Sequence, residues 1–448
     1  MTATYYSSVQ DVATVDSGPA FKSSQFGEVG EGIPLLRGEN IEPGALRWSK
    51  TRTWPESLLP GYEHLLVEKG DLILGMDRPV ISTGLKLAAA RASDLPALLV
   101  QRVARIRPRS IDGRYLYLWL TSEDFIQHLQ GSATGTQLPH VNLASIREFQ
   151  VPRFDEDVER RIVDLLEDHF SRLDAADQGL ALSLAKLNGI RERTLIHALT
   201  GEDVRERAAA NLPAVGTSDG DLPSLPVGWD WVRLGDVADV VGGITKDANK
   251  QSDPSFVEVP YLRVANVQRG HLKLDVVTQI RADPAKAKSL RLEVGDVLLN
   301  EGGDRDKLAR GWVWEGQIAE CIHQNHVFRA RLHEPRLDPY FLSWTSNTLG
   351  GRWAERNGKQ SVNLASISVR MIKQMPVIVP AAGEAERIVA SLRDQLDSYD
   401  RLELALKSAR HRGAALRRSL LAAGFRGRLT GAESQVTSAD MVEELAGV

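Results

Sequence analysis

Short apolar runs broken by Gly, Pro, Asn and Asp fill residues 1–150 and 226–375. "LLVEKGDLILG" and "RLEVGDVLLNEGG" alternate Val, Leu and Ile around a Gly-Asp turn, which predicts strand, turn, strand. In "LLVQRVARIRP" the run Val103, Ala104, Arg105, Ile106, Arg107 alternates as a half-buried strand does. "RYLYLWLTSEDFIQHLQ" and "PYFLSWTSNTLGGRWA" read as amphipathic helices. Each region is therefore expected to be a mixed α+β domain.

The pattern then changes. From Asp155 to about Leu199 there is no Pro and only two Gly. Apolar residues fall at Val163, Leu166, Phe170, Leu173, then Leu180, Leu184 and Leu187. Steps of three and four make a coiled-coil seam, which Asp177 and Arg191 interrupt. A second Pro-free run from 384 gives Ile388, Leu392, Leu396, Tyr399, Leu402 and Leu406. A helix of about 45 residues is well above the usual length and spans roughly 65 Å. Two such helices are expected to pair with each other; the alternative is two surface helices, each packed on its own domain. The stretch 202–225 is rich in Ala, Gly, Ser, Pro and Asp and reads as a linker.

The two regions are copies. "VQDVATVDSG" (9–18) faces "LGDVADVVGG" (234–243), and "IPLLRGENIEPGAL" (33–46) faces "VPYLRVANVQRGHL" (259–272). "VEKGDLIL" faces "LEVGDVLL", and "VARIR" faces "VFRAR". "VNLASI" stands at 141–146 and again at 362–367, and "RRIV" (160–163) faces "ERIV" (386–389). The offset drifts only from 221 to 226. Such a period is too long for a solenoid and means tandem duplication of one large module. A pseudo-two-fold monomer follows, with two similar surfaces for two similar partners.

Composition adds boundaries. The 448 residues exceed one ordinary core, and 42% hydrophobic with 25% charged residues is ordinary globular usage. No apolar run reaches membrane-spanning length, and "MTATYYSSVQDVATV" has neither a basic nor an apolar leader region, so no membrane span and no signal peptide are expected. Cys321 is the one cysteine, which excludes an internal disulfide and a Cys-rich zinc site. The expected compartment is the cytosol. A net charge of −4 argues against a uniformly basic coat, yet DNA binding needs only a local basic face. Arg401, Lys407, Arg410, Arg412, Arg417, Arg418, Arg426 and Arg428 precede an acidic tail at 432–448.

No catalytic constellation emerges. "DPYF" (338–341) lacks the second proline of an amino-methyltransferase loop and reads as a helix start. "NGKQS" fails as a phosphate loop, and "GEVGEG" has the wrong spacing for a dinucleotide fingerprint. In "GGDRDKLARG" the residue two before Lys307 is Arg305, which fails the acidic requirement of a metal nuclease. No Gly-x-Ser-x-Gly elbow occurs. His323 and His326 are close together and are expected to lack the carboxylate or Cys company of a ligand set, so they read as strand residues. No metal site is expected. A large, duplicated chain of this kind reads as a two-headed recognition device.

"LPVGWDWVRLGDVADVVGGITK" (225–246), "VPYLRVANVQRG", "LEVGDVLLNEGG", "GKQSVNLASI…MPVIVPAAGEAERIV" and "LRRSLLAAGFRGRLTG" (416–431) resemble, in order, the type I restriction-modification specificity subunit. The likeness covers nearly the whole chain. It implies target recognition domains at 1–152 and 226–380 and long spacer helices at 153–201 and 381–431 that pack antiparallel. It also implies a linker at 202–225 and an acidic tail at 432–448. Each domain would read one half of a split asymmetric site on double-stranded DNA, with the helices as a ruler for the unread gap. Two modification (M) subunits, using S-adenosylmethionine to methylate adenine, would dock on the helices. Restriction (R) subunits using ATP and Mg would join them. The chain itself would hold no cofactor and do no chemistry. Two departures stand out. The first copy opens at "YYSSVQDVATV" without Leu-Pro-x-Gly-Trp. The family string Pro-Pro-Leu-x-Glu-Gln is replaced by "VPRFDEDVERRIV" and "VPAAGEAERIV".

Phosphate contacts position a protein on DNA and base contacts specify. Arg305, Lys307 and Arg310 place three cations within six residues, and the matching stretch of copy one holds Arg78, Lys86 and Arg91. The alternative is a solvated loop. Gln137, His140 and Asn142, with Lys359, Gln360 and Asn363, stand just before the shared hexapeptide or within it and are further candidates; a loop-capping role for the Asn residues is the alternative. Arg37 and Arg263 match between copies, so they cannot distinguish two half-sites and belong to backbone contact or structure. Two other functions remain open on the sequence: the specificity subunit of a modification-only complex, and a duplicated interaction scaffold without DNA specificity.

Overall fold

A computed structural model describes residues 5–27, 30–49, 51–132, 140–248, 251–360 and 364–430. The chain divides into two compact units, Met1–Leu180 with Lys407–Val448, and Ala181–Leu406. Each unit therefore contains one α+β domain and a portion of both long helices.

In the first unit a four-stranded antiparallel sheet runs in the order Leu87–Ala89, Leu72–Gly75, Val103–Pro108, Ala13–Ser17. Ala104, Ile106, Leu72 and Leu74 face one core, shared with helix Gly113–Leu120 and the long helices. Val103, Ile73 and Ala88 face a second core. A smaller sheet closes that core: Leu98–Leu99 runs parallel to Ile33–Leu36, which pairs antiparallel with Thr53–Trp54. Val103–Pro108 is thus not the half-buried strand its alternation predicts. Both faces are covered, and Arg105, 4% exposed, is kept in place by Asp16 at 2.5 Å and the carbonyls of Leu66 and His64. A buried guanidinium is tolerable only when every donor finds such company.

The second unit repeats the design. Its four strands are ordered Gly311–Val313, Val297–Asn300, Val327–Leu332, Ala238–Gly242. Ile322–His323 runs parallel to Val257–Leu262, which pairs antiparallel with Thr278–Ala282. The outer pairs also match: Tyr5–Ser8 with Gln150–Arg153, and Asp230–Arg233 with Pro376–Val379. Shared residues explain the shared form. A Cβ on Gly18 would lie 2.1 Å from the Leu99 carbonyl oxygen, and one on Gly243 1.8 Å from that of His323, so only glycine fits at either. Buried Asn40 accepts from the Arg37 amide and donates to the Arg47 carbonyl; Asn266 does the same with Arg263 and Lys273, all four at 2.9 Å. The backbones of Arg37 and Arg263 are thereby structural, and their side chains are exposed.

The first long helix is Glu156–Thr200 and the second Glu384–Phe425. Acidic residues in both first turns complement the helix dipoles. In the first unit Asp174 pairs with Arg417, and Asp177 with Arg410 at 2.7 Å. In the second, Arg191 pairs with Asp400 and, at 3.4 Å, with Glu403, while the hydroxyls of Thr194 and Tyr399 lie 3.1 Å apart. Rising numbers on one helix meet falling numbers on the other, so the pairing is antiparallel in each unit. Asp174–Arg417 and Asp400–Arg191 occupy positions 226 apart, so the duplication extends to the helix contacts.

Within the seam Leu166, Phe170, Leu187 and Leu392 are buried, and Leu173, Leu180, Leu184, Ile388, Leu396, Tyr399 and Leu406 are half-buried. Leu402 is a correction: it is 48% exposed. Glu403 takes the inward step after Tyr399 in order to meet Arg191. Asp177 and Arg191, apparent interruptions, are the residues that reach across between the helices. Water screens exposed pairs of this kind, so they fix register more than they add strength. No helix among the described residues is long and apolar enough to cross a membrane.

Candidate nucleic-acid interface

The hairpin that follows the second strand of each large sheet carries most of the candidate cations. In the first unit Asp77 is the centre. It accepts from His140 Nδ1 at 2.8 Å and from Arg102 at 3.0 and 3.2 Å. An isolated antiparallel bridge joins Asp77 to His140. Lys86 Nζ reaches the Asp77 carbonyl at 3.4 Å. Arg78 is exposed, with φ at 45°, and Arg102 has φ at 63°. Left-handed backbone at two arginines is uncommon and sits where functional strain is usually found. The fold thus gathers Arg78, Lys86 and His140. Arg91 stands apart on an exposed turn, its amide donating to Asp94 at 2.8 Å. Asn142 caps helix Leu143–Glu148, accepting from the Ser145 amide at 2.8 Å, so the capping alternative holds for it. Gln137 lies outside the described residues.

In the second unit Arg305–Lys307 forms a tight 3-10 turn. Arg305 is exposed and donates through Nε to the Glu355 carbonyl at 2.9 Å. Lys307 pairs with Asp304 and holds that carboxyl below its ordinary range. Lys359–Gln360 pairs with Ala365–Ser366, which pairs in turn with Gly302–Gly303, so both exposed side chains stand beside this turn. Asn363 lies outside the described residues. Two residues here have only long-range signals. Arg269 donates to the carbonyls of Asn347 and, at 2.8 Å, Asp306. His326 does have carboxylate company, Glu301 at 2.7 Å, supplied by a neighbouring strand end. His323 reads correctly as a strand residue. It is buried, its Nδ1 lies 2.6 Å from the Val327 carbonyl, and burial lowers its pKa to about 4. Burial likewise pushes the Cys321 thiol up to about 12. Asp338 caps the helix at "DPYF", accepting from Tyr340 at 2.7 Å. Among the described residues no group of three or more His, Cys, Asp or Glu could hold a metal.

Lys86 and Arg310 occupy the same register. The Gly75 amide donates to the Lys86 carbonyl and the Asn300 amide to the Arg310 carbonyl, both at 2.9 Å, at positions 225 and 224 apart. Both cations are half-buried, and burial is the leading cause that lowers both pKa values; Arg78 adds to the effect on Lys86, and Arg269 to that on Arg310. Arg310 Nε is buried with no hydrogen-bond partner among the described residues. A desolvated cation without a full counter-charge is costly, and a bound anion relieves that cost.

No protein-family model matches the chain. The chain is similar to the EcoAI type I restriction enzyme specificity subunit of Escherichia coli, 32% identical over 155 residues, which are 34% of this chain and 26% of that protein. It is 31% identical over 146 residues to the MjaVIII specificity subunit of Methanocaldococcus jannaschii, covering 32% and 34% of the two chains. These first matches span about a quarter to a third of the relatives' length. The EcoBI specificity subunit of Escherichia coli is 23% identical over 94% of this chain and 85% of its own. Among solved structures, a chain from a type I restriction-modification system aligns with a TM-score of 0.69 at 18% identity, covering 95% of this chain and 98% of that one. The HsdS subunit from Thermoanaerobacter tengcongensis aligns with a TM-score of 0.50 at 17% identity, covering 95% and 97%. Those likenesses are of fold.

Proposed function

We propose, from its similarity to type I restriction-modification specificity subunits, that this chain reads a bipartite, asymmetric site on double-stranded DNA and does no chemistry itself. The observation that carries this reading is a duplicated frame with unlike edges. The sheets, the Asn clamps and the helix pairs repeat, while the hairpins at Asp77–Lys86 and Gly302–Arg310 differ in length and residue. A common frame with two different rims suits two different half-sites. Two modification subunits, using S-adenosylmethionine, and restriction subunits, using ATP and Mg, assemble on the chain in the cytoplasm of a bacterium or archaeon. The chain holds no cofactor. The test is to map methylated adenines in the host with and without the gene. A split motif that vanishes on deletion supports the reading; an unchanged methylation pattern rejects it.

Lys86 and Arg310 are the matched phosphate contacts in this scheme, joined by Arg78 and Arg305 at the exposed rim. Lys86→Gln and Arg310→Gln are each expected to weaken binding evenly across sequences. Each should also reduce the slope of log affinity against log salt by about one. Titration of the assembled complex from low to moderate salt reads this, and an unchanged slope removes the residue from the interface. Lys307→Ala is expected to change the slope less, because Asp304 already neutralises Lys307.

A further inference from the structure

Composition alone makes 202–225 a loose tether, but the structure fastens it at three places. At its start, Arg207 donates to the carbonyls of Gly201 at 2.5 Å and Thr200 at 3.1 Å, the end of the first long helix. His197 on that helix meets Glu202 at 2.9 Å and Asp203 at 2.8 Å. At its end, Arg207–Ala208 pairs antiparallel with Leu225–Pro226. In its middle stands Asp219. One carboxylate oxygen accepts from Arg233, Trp353 Nε1 and Thr217, each at 2.9 Å, and the other from Arg233 at 2.8 Å. Ser218 and Asn357 exchange two bonds at 2.9 Å, and Arg356 donates to the Asp219 carbonyl at 2.8 Å. Leu212 and Leu222 pack on the core of the second unit.

The decisive point is which segment supplies the charge. Arg233 belongs to the first strand of the second domain and is 6% exposed. Its carboxylate partner comes from the connecting segment; its other acceptors are the carbonyls of Gln374 and Pro213. Lifting the segment away would leave a buried cation without its counter-ion and an indole N–H without its acceptor, which proteins strongly disfavour. The first copy has no such arrangement, because Ser8 occupies the position 225 before Arg233. Hydrogen bonds from Arg233 above all hold the Asp219 carboxyl down to about 2. Its stabilising contribution is complete above the ordinary 3.8 and is lost as pH falls through about 2, so the latch is closed at every pH a cell offers.

We infer that 202–226 is a strap and that Asp219 is a positioning residue, fixing the second recognition domain on the end of the first long helix. Its consequence for DNA rests on the proposed specificity role: a domain free to swivel on its helix tolerates half-sites at the wrong distance.

The test uses the assembled complex and three chains: wild type, Asp219→Ala and Asn357→Ala. The second substitution spares Arg233 and removes the Ser218 exchange together with the Asn357 bond to the Trp353 carbonyl at 2.9 Å, so it remains informative if Asp219→Ala folds poorly. Hydrogen exchange over 213–224 is read first, without DNA. Protection in wild type, lost in Asp219→Ala and reduced in Asn357→Ala, supports the strap; free-chain exchange in wild type overturns it. Binding is then compared on duplexes with the native gap and with one base pair more or less. Asp219→Ala is expected to lower the preference for the native gap about tenfold while leaving the fold-penalty for a base change inside either half-site unchanged. An open strap with an unaltered gap preference overturns the positioning role. If wild type shows no sequence preference at all, it is the specificity reading that falls, and the exchange data still decide the strap.

Discussion

Adding four residues after Gly189 together with four after Leu404 is expected to lengthen the gap in the recognised motif by one to two base pairs. Affinity for the original target should fall by about 10³-fold, close to the non-specific level, because one half-site is then out of reach. Four helical residues add about 6 Å, against ~3.4 Å per base pair. They also return the helix to within about 40° of its former facing, whereas three or five would turn its apolar side further away. Both helices must grow together. Arg191 pairs with Asp400 and Glu403, and Thr194 with Tyr399, so an insertion in one helix alone would pull these partners apart. Gly189 is half-buried and Leu404 is 67% exposed, so neither insertion splits a packed layer. Methylome sequencing of a host carrying the double insertion reads the new gap. An unaltered gap sinks the ruler function of the helices.

Most of the frame was legible because duplication marks what both copies need. Gly18 and Gly243, the Asn40 and Asn266 clamps and the Gly-Asp turns all appear as matched letters, and each proves to be a place where only that residue satisfies the backbone. The helices were legible from their period. Less legible was anything set by what lies on the far side of an element. Arg105 alternates like a solvent-facing residue, yet it is buried against the turn at His64 and Leu66, whose carbonyls it meets, and the distant Asp16 supplies its counter-charge. Leu402 fits an apolar heptad, but Glu403 turns inward for Arg191 and leaves Leu402 in water. The rim was the least legible. Left-handed backbone at Arg78 and Arg102 has no glycine to announce it, and the Glu301–His326 pair joins residues 25 apart. The strap is the sharpest case: a composition typical of tethers conceals an aspartate placed opposite a buried arginine.

Asp71→Ala and Asp296→Ala are expected to destabilise their own units by about 3 kcal/mol each, at the lower end for a broken buried pair. Asp71 is 2% exposed and Asp296 1%. Each carboxylate takes Nε and a terminal nitrogen of one arginine, Arg107 or Arg331, at 2.7 and 2.8 Å. Each also closes its own turn by accepting the amide of Glu68 at 2.8 Å or Glu293 at 2.7 Å. Alanine therefore removes a bidentate ion pair and a turn bond together, at the start of a central strand. The cost stays near the lower end because Arg107 and Arg331 are about a third exposed, at 29% and 32%, and water recovers part of the lost charge pairing. Glu68 and Glu293 also remain within 2.8 Å of these arginines. Hydrogen exchange separates the two units: Asp71→Ala should lower protection in Val103–Pro108 and spare Val327–Leu332, and Asp296→Ala the reverse. Equal loss in both strands from either change would mean that the units unfold as one. A loss below about 1 kcal/mol would mean that the pair is held for register and not for stability.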